Sequence, residues 1–474
     1  MCNALKSRQF RWASIYVVCI TAVPGSTAAA VVPLTRMLRC LTSKTSSCAQ
    51  HVYLQRRLSM VRCAHMEPAS LLPHTPVSII QGSTPRVLVL TGPTAVGKTQ
   101  LSLALAERLD GEVVSADSVQ VYKGLDIGSD KITVSERRAV PHHLLDILSA
   151  NAEFSAGHFY DAARAAIQDI VQRGKFPIVV GGTGLYLRWL VQGRPQTPKS
   201  DAEMAGKAQQ ALDKVWTEAA SHKGADLTSE EKWSSGTQLI ASLGDPVAAE
   251  RVHREANNYY RLMRVLEVVL HTGKTMAEFE AEPDAPVDYD FRCFFLQRPR
   301  LELFERIDLR VEQMVDRGLL QEAQWLLDQG IRLDSHCASR GIGYRQALAA
   351  LQHWHAHPDD LQPPQLVQMV KDIQQASRQL NKRQMTWFRD DPMYQWLDAK
   401  QPIDVLVQQI VESMEQSKHV GNCGDSGRLD KAQVDLLKRY QTHLHLFDKP
   451  EVQQRALAFV RSVINKHQNH IGGS

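Results

Sequence analysis

The 474-residue chain carries 55 Lys and Arg against 51 Asp and Glu, a formal net charge of +4, with 43% hydrophobic and 22% charged residues. That length allows two or three domains with real hydrophobic cores, which excludes a small disulfide scaffold. Its 27 Gly and 21 Pro exclude a collagenous or low-complexity chain, and no long apolar run in the body suggests a multi-span membrane protein.

The charge is unevenly spread. Residues 1–80 hold nine basic side chains (Lys6, Arg8, Arg11, Arg36, Arg39, Lys44, Arg56, Arg57, Arg62) and one acid, Glu67, and so contribute +8; by subtraction, residues 81–474 carry −4. A basic, acid-poor segment rich in Ser, Thr and Ala has the composition of a mitochondrial or plastid transit peptide. The uncharged run Ala13 to Thr35, with Ala28 to Ala30 as a cleavage site, gives a competing secretory reading, although Pro24 and Gly25 interrupt it. Five of the eight cysteines also fall in this leader. Cys293, Cys337 and Cys423 are isolated thereafter, the pattern of a reducing compartment.

After a linker to about Pro85, Arg86 to Leu90 (RVLVL) predicts a short buried strand ended by Gly92 and Pro93. Leu101, Leu105 and Leu109 then recur at helical spacing from Lys98 to Leu109. Between strand and helix, Gly92, Pro93, Thr94, Ala95, Val96, Gly97, Lys98 and Thr99 fit the phosphate-loop pattern G-x-x-x-x-G-K-[ST] in the context it requires. The glycines let successive N–H groups turn inward at the positive end of the helix, Lys98 adds a charge, and Thr99 is placed to ligate Mg²⁺. A polyphosphate or diphosphate ligand follows, with its identity open.

Glu112 to Ser115 predicts the next strand, followed by Asp117. In an open parallel sheet ligands sit beyond the carboxyl ends of strands, so Asp117 should face the loop, either on the Mg²⁺ water shell or as a general base. A helix over His158 to Arg173 and a strand Ile178 to Val180 complete a β–α alternation that predicts an α/β parallel sheet covered by helices. Gly181 to Tyr186 (GGTGLY) ends that strand; its glycines permit close backbone approach, and Thr183 either caps the next helix or touches substrate.

From Ser200 to about Glu255 the composition shifts to Ala, Gln, Lys, Glu and Ser, which predicts a helical insertion. Helical patterns follow at Asn258 to His271, Arg300 to Gly330 and Leu366 to Phe388, with one strand at Phe291 to Leu296. On the last of these helices Lys371, Arg378, Lys382 and Arg389 fall within about 20° of one line, opposite Leu366, Met369, Ile373, Leu380 and Trp387. Such a cationic ridge suits a phosphate backbone; a solvated basic face would look the same.

GPTAVGKT (92–99), SADSVQVYKGLDIGSDK (115–131), PHHLLD (141–146), VVGGTGLYL (179–187) and SRQLNKRQMTWFRD (377–390) together resemble the tRNA dimethylallyltransferase family, over roughly residues 85–398. The resemblance implies a P-loop NTPase-like sheet with a helical insertion domain, and transfer of the dimethylallyl group of dimethylallyl diphosphate to N6 of the adenosine 3′ of the anticodon (position 37) of tRNA. It implies a core of two parts, 85–199 and 257–400, split by an insertion at 200–256 that contacts the anticodon stem. Residues 401–474 form an extension of unassigned role.

By the same resemblance, the loop with Lys98 and Thr99 holds the leaving diphosphate and Mg²⁺, Asp117 takes the N6 proton, and Arg306, or Arg310 one turn on, binds diphosphate. Asp117, Ser118, Val119, Gln120, Thr183, Tyr260, Arg261, Arg264, Arg340, Gly343, Tyr344, Arg345 and Lys382 correspond to tRNA-contacting positions, where aromatic and guanidinium planes stack on an extruded base. Partners are then tRNA and dimethylallyl diphosphate, with no membrane, and a monomer is expected. The chain departs from the family at His253 to Asn258, which blurs an HPND-like segment. It also has a single cysteine, Cys423, with His443 and His445, where many eukaryotic members carry a zinc finger of two Cys and two His, so the zinc ligand set is incomplete. An adenylate isopentenyltransferase is the nearest rival reading, and a P-loop kinase or ATPase the next.

Overall fold

A computed structural model describes residues 84–138, 140–255, 258–280, 288–417, 421 and 429–471, all within the unit Thr75–Ser474. The basic leader and Cys423 lie outside the described residues.

Six strands, β1 (Arg86–Thr91), β2 (Gly111–Ala116), β3 (His142–His143), β4 (Phe176–Gly181), β5 (Asp290–Gln297) and β6 (Tyr394–Asp398), pair in the order β3-β2-β4-β1-β5-β6, every pairing parallel. This is the expected α/β architecture. The period-2 alternation of β1 sends its side chains to two separate layers. Leu88 and Leu90 pack with the helices Lys98–Leu109 and Ile403–Glu415 on one face. Val87 and Val89 pack with Ala156–Gln172 and Gly184–Gln192 on the other. Because Leu90 stands level with Val180 of β4 and Phe294 of β5, the loops that leave β1, β2 and β4 emerge at one rim of the sheet.

The insertion folds around its own core from helices Ala202–Lys223, Ser229–Ser242 and Pro246–His253, centred on Leu212, Trp233, Ile240 and Val252. A fourth helix, Tyr259–Thr272, also belongs to it: Leu262, Val265, Leu266 and Val269 recur at helical spacing and are buried in that cluster. The boundary read at 256 therefore moves. Apolar periodicity continues across it, and nothing local reveals which body a helix will pack on.

The single long helix read over 300–330 is two helices, Arg300–Arg317 and Leu319–Asp328, broken at Gly318 with φ 128°, a conformation that favours glycine. The break brings Glu322 to the loop after β2. Its carboxylate accepts the N–H groups of Asp126, Ile127 and Gly128 at 2.9, 2.8 and 3.0 Å and the phenol of Tyr344 at 2.6 Å. Inside that loop the buried Lys131 donates to Asp126, Asp146 and the carbonyl of Tyr122. Two opposite charges thus shape the loop that carries Asp117.

Candidate active site

Gly92 begins the phosphate loop where β1 ends. Its φ is 147°, and a Cβ there would lie 2.7 Å from the carbonyl oxygen of Leu296, so the position accepts no larger residue. Ala95, with φ 65°, and Gly97, with φ 111°, complete the turn into the helix Lys98–Leu109. The Lys98 ammonium curls over the loop and donates to the carbonyls of Gly92 (2.8 Å) and Pro93 (3.0 Å). Thr99 is exposed at the first turn.

Four long-range contacts fix this loop. Gln384 accepts the Thr94 N–H at 3.0 Å and donates to the Gly182 carbonyl at 3.0 Å, joining the ends of β1 and β4. Arg298 donates to the carbonyl of Val96 at 3.2 Å. Arg310 donates to the Thr94 hydroxyl and pairs with Asp130 at 3.1 Å, while the exposed Arg306 donates to the Ala95 carbonyl at 2.9 Å. Both arginines named from the sequence therefore reach the loop. Arg310 is the more enclosed, and its charge is strong enough at Lys98 to help lower that ammonium's pKa.

Burial comes first in that shift, the Arg310 charge second, with Asp117 and Asp130 opposing; together they bring Lys98 down to about 8. Asp117 follows β2 directly. Its Oδ1 accepts the N–H groups of Val119 (2.8 Å) and Gln120 (3.2 Å), a local turn that fixes the carboxylate, while Oδ2 makes no hydrogen bond among the described residues. A cationic anion-binding loop and a half-engaged carboxylate thus share one rim. The arrangement suits departure of a phosphorylated group with removal of a proton from the attacking atom.

Residues 120–391 match the family described as IPP transferase. The chain is 38% identical over 413 residues to tRNA dimethylallyltransferase 9 of Arabidopsis thaliana, with 80% of this chain and 86% of that protein covered. It is 42% identical over 318 residues to tRNA dimethylallyltransferase 1 of Trichlorobacter lovleyi, with 66% and 93% covered. The chain belongs to the IPP transferase family. Among solved structures it is similar, at 30% identity and TM-score 0.53, to one described as a eukaryotic dimethylallyltransferase acting on tRNA, with 67% of this chain and 74% of that one covered.

In this IPP transferase the residues assigned to tRNA by resemblance fall into three groups. Ser118 and Val119 follow Asp117 directly, Thr183 lies two residues beyond Gly181, which pairs with Ala116, and Tyr260 stands at the start of its helix; Ser118 is exposed and Tyr260 is 57% exposed. Thr183 occupies the cap position of its helix without a capping hydrogen bond, so capping does not account for it. A second group is engaged in ion pairs or local bonds: Arg261 with Glu255, Arg264 with Glu267, Arg345 with Asp334, and Arg340 with the Asp334 carbonyl. Gln120 bridges Ser115 and Ser129 through its amide.

The third group is corrected. Tyr344 is fully buried with its phenol on Glu322, so it is core and offers no stacking surface. Gly343, also buried, takes a φ of 95° to start the helix Tyr344–Ala356. The cationic ridge is interrupted as well. Lys371 and Lys382 are exposed, whereas Arg378 turns inward to the buried Asp308 and Arg389 is half-buried. Trp387, placed on the apolar side of the helix, is 37% exposed, with the Arg188 guanidinium 4.3 Å from its ring centroid. Helical angle alone placed these side chains, and their neighbours redirected them.

A pH dependence follows from Lys98. A diphosphate binds the protonated ammonium better than the neutral amine, so binding draws a proton onto Lys98 once pH exceeds its unliganded value of about 8. The dissociation constant for dimethylallyl diphosphate should be level near pH 7.5 and rise above pH 8 towards about tenfold per pH unit. Calorimetric titration from pH 7 to 9.5 checks this; a level constant throughout would exclude Lys98 as the titrating group.

Proposed function

We propose that the acceptor is N6 of the adenosine immediately 3′ of the anticodon (position 37) of tRNA and the donor dimethylallyl diphosphate, with release of diphosphate. Transfer of a dimethylallyl group to tRNA is the coarser activity that goes with the family. The observation that carries the finer reading is the placement of Asp117 on the same rim as the Lys98 loop. The N6 lone pair attacks the allylic carbon and forms the C–N bond. The carbon–oxygen bond breaks with its electron pair staying on the departing diphosphate, and the N6 proton passes to Asp117. Lys98, the loop N–H groups and Arg310 stabilise the charge that grows on the leaving oxygen.

Mg²⁺, when bound, would neutralise diphosphate oxygens. Thr99, exposed and without a hydrogen bond through its own hydroxyl among the described residues, is the side chain placed to hold it. Among the described residues no three His, Cys, Asp or Glu come together as a metal site. The insertion helices and Tyr260 would receive the anticodon arm, with the extruded base near Ser118, Val119 and Thr183. The +8 leader is read as an organellar targeting segment.

Purified protein incubated with dimethylallyl diphosphate and an anticodon stem-loop is expected to yield N6-dimethylallyladenosine at position 37 by mass spectrometry. Modification of AMP or ADP but never of RNA would favour the free-nucleotide enzyme. ATP hydrolysis without diphosphate release from the allylic donor would favour a kinase or ATPase.

A further inference from the structure

The helix Arg300–Arg317 presents two differently charged faces. Arg306 and Arg310, one turn apart, reach the phosphate loop. Asp308, Glu312 and Asp316 recur every four residues on a face centred roughly 140° away, and each meets the C-terminal segment. The Tyr440 hydroxyl donates to Asp308 Oδ2 at 2.9 Å. The N–H groups of His445, Leu446 and Phe447 converge on Glu312 at 2.6 to 3.0 Å. Arg455 pairs with Asp316 at 2.6 Å.

We propose that the segment 429–471 braces the diphosphate site and that Tyr440 is a positioning residue, acting through Asp308 on the helix that carries Arg306 and Arg310. This rests on reading that site as the donor site. Asp308 and Glu312 are fully buried. A buried carboxylate that loses its donors is costly, and a helix can relieve the cost by turning that face toward water. Here such a turn would carry Arg306 and Arg310 off the loop.

Tyr440 is held for the task. Its ring meets Phe304 edge-on, with centroids 5.3 Å apart, and the guanidinium of Arg378, the other partner of Asp308, lies 5.4 Å from its centroid. Phe447, Leu457, Val460 and Ile464 share one buried cluster with Leu319 and Leu348, so the segment is anchored by apolar packing independent of the Tyr440 hydroxyl. Docking that rests on packing leaves the carboxylate contacts to set the helix's rotation.

The test uses the full chain and the conservative variant Tyr440→Phe, which keeps the ring and removes one donor, beside Glu312→Gln. Inorganic diphosphate with Mg²⁺ serves as the probe in calorimetry, and KM for dimethylallyl diphosphate, KM for the stem-loop and kcat are measured in parallel. The brace predicts that the diphosphate dissociation constant and the donor KM rise together, about fivefold in Tyr440→Phe and more in Glu312→Gln, with the stem-loop KM unchanged. Unchanged diphosphate binding in both variants, or an equal rise in the stem-loop KM, overturns it. If the unmodified chain binds diphosphate but prenylates nothing, the prenyl-transfer reading fails and the brace stands or falls on the diphosphate constants. If it binds no diphosphate, both fail.

Discussion

Asp117→Asn is expected to lower kcat for prenyl transfer by roughly 10²- to 10⁴-fold, the usual contribution of a positioned general base, while donor and stem-loop KM change little. The substitution is chosen for what it preserves. Asn retains an oxygen to accept the Val119 and Gln120 N–H groups that Oδ1 accepts at 2.8 and 3.2 Å, so the turn after β2 should stand. It removes only the basicity of the other oxygen. An exocyclic amine conjugated to a purine is a weak nucleophile, and without a base its proton must leave unaided as the C–N bond forms. Single-turnover rates with saturating donor and stem-loop check this. Near-normal turnover in Asp117→Asn would remove Asp117 from the chemistry and leave it a turn former.

Lys98→Met is expected to cut kcat/KM for the allylic donor by about 10²- to 10³-fold, the scale of losing one preorganised donor to a developing oxyanion. Met keeps most of the apolar stem and deletes the ammonium. The loop carbonyls of Gly92 and Pro93, which that ammonium meets at 2.8 and 3.0 Å, would lose a partner, so a stability loss of about 1 kcal/mol should accompany the kinetic effect. Thermal unfolding separates the two, since so small a destabilisation leaves the protein folded at assay temperature. The rise of donor dissociation constant above pH 8 should also vanish in this variant. A variant that retains that rise would assign the titration to another group.

The residues legible in the sequence share a property: their geometry is made locally. Gly92 to Thr99 is a strand end, a turn and a helix start within eight consecutive residues, so the order of residue types states the fold of the loop. Asp117 was legible because parallel strands carry their ligands at one end. Gln384, Arg298 and Glu322 were not, since they meet their partners across 290, 202 and about 195 residues of chain, and no local pattern encodes such a meeting. One signal was available. Gln374, Ser377, Asn381 and Gln384 fall on the face of the helix Pro363–Phe388 that Leu366, Val370 and Ile373 mark as core, and all four are buried. Polar residues on a core stripe announce a place where something polar is met.

The misplacements have one cause. Tyr344 was assigned by resemblance, and Arg378 and Trp387 by helical angle; neither says what stands beside the side chain once the chain is folded. Glu322 drew Tyr344 inside, Asp308 drew in Arg378, and the close approach of Gly184 with Arg188 left Trp387 part-exposed.

By itself the sequence determined the parallel α/β class, the phosphate loop, the carboxylate one strand away and, through five ordered motifs, the family. Tertiary structure alone decided which arginines reach the loop, that Tyr259–Thr272 joins the insertion, and that the segment from Tyr440 to Arg455 meets the acidic face of the arginine helix. The division is physical. Strand alternation and a glycine turn are settled by neighbours in the chain, whereas the direction taken by a charged side chain is settled by the nearest opposite charge or unpaired backbone group, and folding alone brings those within reach.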